Sequence, residues 1–298
     1  MRKIITLMLL SFSLSVITGC TVGKNAQSHE LDWQQGHGEL PATIGTTDNT
    51  FFPPESMMYS SDNYIEKTEY AAPSGKWFFH NGDGSLGYGM TTGTQRAGDM
   101  YNVHLISHET DGEELDRHIR IQLTKRDQQL QLEEIIHEET IYVDIIHGET
   151  EIYTNELPTE ENAIYLLGME ILDELGEVED TMARIIYVPK QEINATLETD
   201  KQTYQSSETA TLTLTNFGPT LLMLDTYYTI EKEVDGIWRV VPLDLAFEDI
   251  AIILTPPEQY EQKVDLEELT PGKYRIIKNI HADGTDLTAS LAAEFLIE

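Results

Sequence analysis

The sequence predicts an all-β protein: two β-sandwich domains in tandem behind a signal peptide and a flexible tether. Three observations carry this. From Lys76 onward apolar residues recur with period two and not 3.6, the spacing of half-buried strands. Turn signals such as Asp235-Gly236 punctuate those segments. The chain holds one cysteine in 298 residues, so no internal disulfide is available and burial of alternating apolar faces must hold each fold together.

The first element is a leader over residues 1–19. Arg2 and Lys3 give a positive start, and Ile4 to Ile17 form an apolar run too short for the roughly 20 residues of a membrane span, closing on Thr18 and Gly19. Ile17-Thr18-Gly19-Cys20 resembles the lipobox of bacterial lipoproteins. The resemblance implies cleavage between Gly19 and Cys20 and a covalent diacylglycerol on the Cys20 sulfur; a plain secretory signal ending on a chance cysteine is the alternative. Two acyl chains, at about 0.8 kcal/mol per buried methylene, anchor a protein stably where one does not. The expected location is the outer face of the cytoplasmic membrane, and a lipidated Cys20 leaves no thiol for catalysis or metal ligation.

Charge narrows the partners. Loss of Arg2 and Lys3 moves the formal charge from -33 to -35, a surface that repels phosphate backbones and excludes a nucleic-acid partner. It attracts divalent cations or basic partners, or simply keeps an exported protein solvated.

From Cys20 to residue 61 the chain is rich in Gly, Ser, Thr, Asn, Gln and Pro without an apolar period, and reads as the lipidated end of a tether whose low-period composition runs on to about Gly75. About 50 such residues reach on the order of 40 Å. Phe51-Phe52-Pro53-Pro54 and Met57-Met58-Tyr59 interrupt it and are expected to pack on the first domain.

The first domain is expected over residues 62–190. Tyr101, Val103 and Leu105 alternate with polar neighbours, as do Ile119, Ile121 and Leu123. A near-repeat, "IIHEETIYV" (135–143) and "IIHGETEIY" (145–153), reads as two neighbouring strands of one sheet. Residues 163–189 read as a hairpin broken by "DELGEVED".

Pro189 marks the boundary to a second domain over 191–298. Ile193, Ala195 and Leu197, then Ala210, Leu212 and Leu214, then Tyr274 and Ile276, and finally Leu291, Ala293, Phe295 and Ile297 each line one face. Seven or so strands in this length suggest an immunoglobulin-like sandwich. "LETDKQTYQSSETATLTLTNFG" (197–218), "YTIEKEVDGIWRVVPL" (228–243) and "LTPGKYRIIKNI" (269–280) resemble the bacterial Ig-like domain at the C-termini of exported Bacillus-type lipoproteins. That resemblance implies fold and surface location and no activity. Tyr274, after a Pro-Gly turn, is the expected tyrosine corner, and Trp238 is expected to fill the core.

Motifs for chemistry are sparse. "GDGSLG" (82–87) has the glycine spacing of a dinucleotide loop but no helix can follow it. Asn81 to Ser85 could hold calcium weakly, without the acidic first and twelfth positions of a calcium loop. "SDN" (61–63) lacks the companion motifs of penicillin-recognising enzymes. Six of the nine histidines lie between His80 and His147. His104 and His108 stand about 13 Å apart along a strand, too far for one ion, whereas His137 and His147, with His118 near, could meet if their strands pair in register.

No cofactor besides the lipid is expected. The sequence points to a non-catalytic, lipid-anchored binding or adaptor protein of the cell envelope, engaging a cell-wall component or another exported protein through loops or edges. The alternatives are a metal-dependent enzyme using the first-domain histidines, and a structural spacer without a specific ligand.

Overall fold

The computed structural model describes residues 29–48, 53, 62–79 and 82–298. Residues 1–19, expected to be a leader, and Cys20 lie outside them, as do the Phe51–Pro54 and Met57–Tyr59 clusters apart from Pro53.

Strands dominate. In chain order they are β1 (Thr43–Ile44), β2 (Gly87–Met90), β3 (Gly93–Thr94), β4 (Met100–Ile106), β5 (Glu113–Arg126), β6 (Leu132–Ile146), β7 (Glu149–Glu156), β8 (Ala163–Leu172) and β9 (Val178–Val188). The second half carries β10 (Ala195–Thr199), β11 (Thr203–Tyr204), β12 (Thr209–Asn216), β13 (Leu222–Leu224), β14 (Thr229–Val234), β15 (Ile237–Val240), β16 (Ile252–Leu254), β17 (Gln259–Asp265), β18 (Gly272–Ala282) and β19 (Thr288–Ile297). A 3₁₀ segment, Asp62–Lys67, precedes the first sheets.

The first domain stacks a three-stranded sheet (β2-β4-β7) on a five-stranded one (β3-β9-β8-β5-β6). Between them Val103, Leu105, Ile119, Ile121 and Leu123 are 0–1% exposed, the alternation read from the sequence turned inward. The near-repeat behaves differently from expectation. Its first copy lies in β6 and its second runs through the end of β6 into β7, and these strands belong to opposite sheets: β6 pairs with β5, and β7 with β4. The chain turns the corner at His147-Gly148, where Gly148 takes a positive φ of 56° and its carbonyl accepts from Ser107 N at 2.9 Å. Ile136, Ile141 and Val143 of the first copy and Ile146, Ile152 and Tyr153 of the second pack on the one core between the layers, while Ile135, Tyr142 and Ile145 are exposed.

β8 and β9 form the expected hairpin, and every residue of β8 is buried. A strand buried on both faces needs a second cover. Residues 62–70 supply it: Tyr64, Ile65 and Tyr70 pack on Ile164, Leu166, Ala183, Ile185 and Tyr187. Gly168 is required there, since a Cβ would collide with the Tyr70 ring.

The second domain pairs a four-stranded sheet (β1-β10-β12-β17) with a larger one (β11-β19-β18-β13-β16, with β14 and β15 continuing from β18). Its core contains the predicted inward residues Ala195, Leu197, Leu212, Leu214, Tyr274, Ile276, Leu291, Ala293, Phe295 and Ile297.

Residues 29–48 correct the tether reading. They run along this domain as a strap. Val240 N donates to Gln34 O and Gly36 N to Trp238 O at 2.9 and 2.8 Å; Ala292 N donates to Pro41 O and Leu197 N to Ala42 O; β1 then pairs antiparallel with β10. Backbone groups make these bonds, so the strap needs no apolar period and its composition resembles that of a linker.

The two domains touch where β9 enters the second. Tyr187 Oη donates to Pro219 O at 2.7 Å, and Arg96 pairs with Asp286 at 2.8 Å.

Candidate functional site

At the end of the first domain away from that junction, four turns, with described residues 74–79 and 82–86, 107–112, 147–148 and 173–177, converge with the start of β5, tied by the pairs Glu113↔Ile146, Ile106↔Glu149 and His118↔Leu172. Two are held rigidly by carboxylates. Asp180 accepts backbone N–H bonds from Ser74, Trp77, Phe78 and Thr181 at 2.8–3.0 Å, and from Gly75 at 3.3 Å. Burial alone would raise its pKa, but these donors outweigh burial and hold it below the ordinary aspartate value. Glu179 beside it takes Lys76, the Trp77 indole N–H at 2.7 Å and Arg117 at 3.1 Å, and these likewise outweigh burial and lower its pKa. Lys76 and Arg117 both lie over the Trp77 ring. The 173–177 turn is closed by Asp173, whose Oδ1 accepts from Leu175 N and Glu177 N at 2.8 Å.

These fixed turns hold Phe79 and Leu175 out in solvent, 80% and 87% exposed. Neither residue belongs to an alternating pattern, so nothing in the sequence singled them out.

The histidines do not converge. His118 lies against Tyr142, the rings tilted and their centroids 5.4 Å apart, at the outer face of the five-stranded sheet. His137 lies against Tyr153, between the sheets. His147 sits in the corner turn beside Gly112. The register that would join His137 to His147 is absent, since β6 and β7 do not pair. Among the described residues no group of three or more His, Cys, Asp or Glu is placed to hold a metal ion. The Asn81–Ser85 turn is described only from Gly82, and Asp83 there is exposed.

In the second domain Tyr274 Oη donates to Thr270 O, four residues upstream, at 2.7 Å. Trp238 departs from its expected place: it is 8% exposed but covers Arg275 at 4.2 Å on the outer face, apart from the inter-sheet core. Arg275 and Glu231, both fully buried, pair at 2.6 Å beneath it. The strap completes the group: His37 N and Nδ1 bond Glu231 at 2.9 and 2.7 Å, and Arg275 donates to His37 O at 2.8 Å. Burial works to raise the Glu231 pKa, yet His37 and Arg275 bring it below the usual glutamate value. Gly36 permits this approach, because a Cβ would collide with the Glu231 carboxylate. Glu30, at the strap's start, pairs with Lys232 at 2.8 Å.

A groove of about 570 Å³ opens where β13 and β14 part along β18. Lys278 fills the gap from within, donating to Asp225 O, Tyr227 O and Gln262 Oε1 at 2.6, 2.9 and 3.1 Å. Burial pushes its pKa down to about 8. Met223, Asp225, Ile250, Asn279, His281 and Ser290 are among the groove's lining, which has small-molecule size.

Residues 191–296 match the model of the Bacterial Ig-like domain, about a third of the chain. No curated protein sequence matches. Among solved structures, red sea bream transglutaminase is 11% identical over 72% of this chain and 31% of its own, with a TM-score of 0.31. The native form of Escherichia coli alpha-2-macroglobulin is 11% identical over 71% and 16%, at 0.28. Yersinia pseudotuberculosis adhesin InvE is 11% identical over 72% and 61%, at 0.31. The chain spans less than two thirds of each, and likenesses at this level carry no argument about activity.

Proposed function

We propose that the protein is a lipid-anchored, non-catalytic binding protein of a bacterial cell envelope, held at Cys20 and presenting its first domain outward. The strap carries this reading. Glu30 is bound beside Lys232 and Thr270, at the start of β18, whereas the first domain touches the second beyond the other end of β18, at Gly284 and Asp286. An 11-residue strand separates the two by about 33 Å. Cys20 stands ten positions before Glu30, within about 35 Å of chain at full extension. A lipid on Cys20 therefore puts the second domain next to the membrane, although it comes last in sequence, and carries the first domain away from it. The exposed Phe79 and Leu175 then stand at the outer tip.

The test is metabolic labelling with a palmitate analogue. Label in the wild type, and its loss together with release of the protein to the medium in Cys20→Ala, is the expected result. An unlabelled wild type overturns the reading.

A further inference from the structure

Phe79 and Leu175 are the most exposed of the large apolar side chains named above, and both stand on turns fixed by buried or half-buried carboxylates. Rigid exposure of this kind costs solvation in the free protein and little ordering on binding, the condition for an anchor residue. Around them the turns carry Asp83, Asp111, Glu174 and Glu177, and the adjoining ends of β5 and β6 carry Glu114 and Asp144, all exposed. Residues 82–85, 107–116, 144–149 and 173–177 contain no lysine or arginine. The nearby cations Lys76 and Arg117 are already engaged by Glu179. At the opposite end of the same domain the acids do meet bases: Arg126 pairs with Glu69 and Lys125 with Glu160. Among the described residues the acids of the tip therefore outnumber its bases.

We propose that this tip is a docking surface for a polycationic polypeptide segment that also bears apolar side chains, which pack on Phe79 and Leu175 while its lysines or arginines meet the surrounding carboxylates. A second copy of the chain does not fit, because it would bring like charges together. An anionic bilayer is repelled for the same reason. The outward placement of the tip rests on the lipid-anchor reading; the docking chemistry does not.

The experiment uses the full chain carrying Cys20→Ser and a short synthetic peptide alternating lysine and leucine, with a lysine-only peptide, a glutamate-leucine peptide and phosphatidylglycerol vesicles in parallel arms. Binding of the lysine-leucine peptide is expected, weakening above about 0.15 M salt. The double variant Phe79→Ser/Leu175→Ser should lose at least about tenfold in affinity. Glu174→Lys/Glu177→Lys should lose as much, whereas the same charge change at exposed Glu267 and Glu268 of the second domain should change it by less than about twofold. Both tip pairs are solvent-exposed, so the unfolding midpoints should not move. Equal weakening by the tip and Glu267/Glu268 variants, full binding by Phe79→Ser/Leu175→Ser, preference for the lysine-only peptide, or binding of vesicles in place of peptide each overturns the proposal. Peptide binding without palmitate labelling leaves the docking surface and removes the anchor; labelling without peptide binding does the reverse.

Discussion

Both domains lay an upstream segment over the outer face of a sheet, and the two covers are chemically opposite. Over β8 and β9 the cover is apolar, with Tyr64, Ile65 and Tyr70 against Ile164, Leu166 and Ala183. Over β14 and β18 it is polar, with His37 and backbone groups of the strap closing on Glu231 and Arg275. An apolar cover leaves a trace in sequence, because the covered strand becomes a continuous apolar run. A polar cover leaves none, since Glu231 and Arg275 occupy positions where a strand facing water would carry the same residues. The two covers also fail differently: removing an apolar contact leaves a gap, whereas removing one partner of a buried pair strands a charge.

Four experiments press on this contrast, most simply by urea unfolding with tryptophan fluorescence. The largest effect is expected for Arg275→Ala, which leaves Glu231 buried without its guanidinium and should cost about 3–5 kcal/mol. The loss belongs to the second domain, so the first domain's transition should stay in place; movement of both would mean that the cover is not local.

Lys278 gives a pH signature. Its folded pKa of about 8 lies below the ordinary lysine value of 10.5, so between those values the unfolded chain binds the extra proton. Stability of the second domain should therefore rise as pH increases from about 8 to 10.5, by up to about 3 kcal/mol at about 1.4 kcal/mol per unit. Lys278→Met should remove that rise, and an unchanged slope in the variant would rule out this lysine as its source.

Gly168→Ala tests the apolar cover by forcing a methyl into the Tyr70 ring, at an expected cost of about 1–3 kcal/mol in the first domain alone. An effect below about 0.5 kcal/mol would mean that the 62–70 segment lifts away freely. The smallest change is Tyr274→Phe, which deletes the 2.7 Å bond to Thr270 O and should cost about 1 kcal/mol.

Legibility followed the same division. The inward residues of β4, β5, β12 and β19 and the β8–β9 hairpin were readable, because alternation is imposed by the pleat itself. The exposed tip was not. Phe79 and Leu175 are single apolar residues in turns, and only the placement of those turns at one end brings them together with the carboxylates around them. The histidine grouping fails for a related reason: adjacency in sequence suggests that β6 pairs with β7, and a corner turn sends them to different layers.

By itself, then, the sequence determined the excess of acid, the strand periodicity and the Ig-like last third of the chain, all of which are local or compositional. Tertiary structure alone decided that residues 29–48 bind the last domain, that Trp238 covers Arg275 instead of entering the core, and that the acidic turns share one end. Those outcomes depend on backbone hydrogen bonds and on residues far apart in the chain, from Trp238 and Arg275 to Pro41 and Ala292, and neither leaves a periodic mark along the chain.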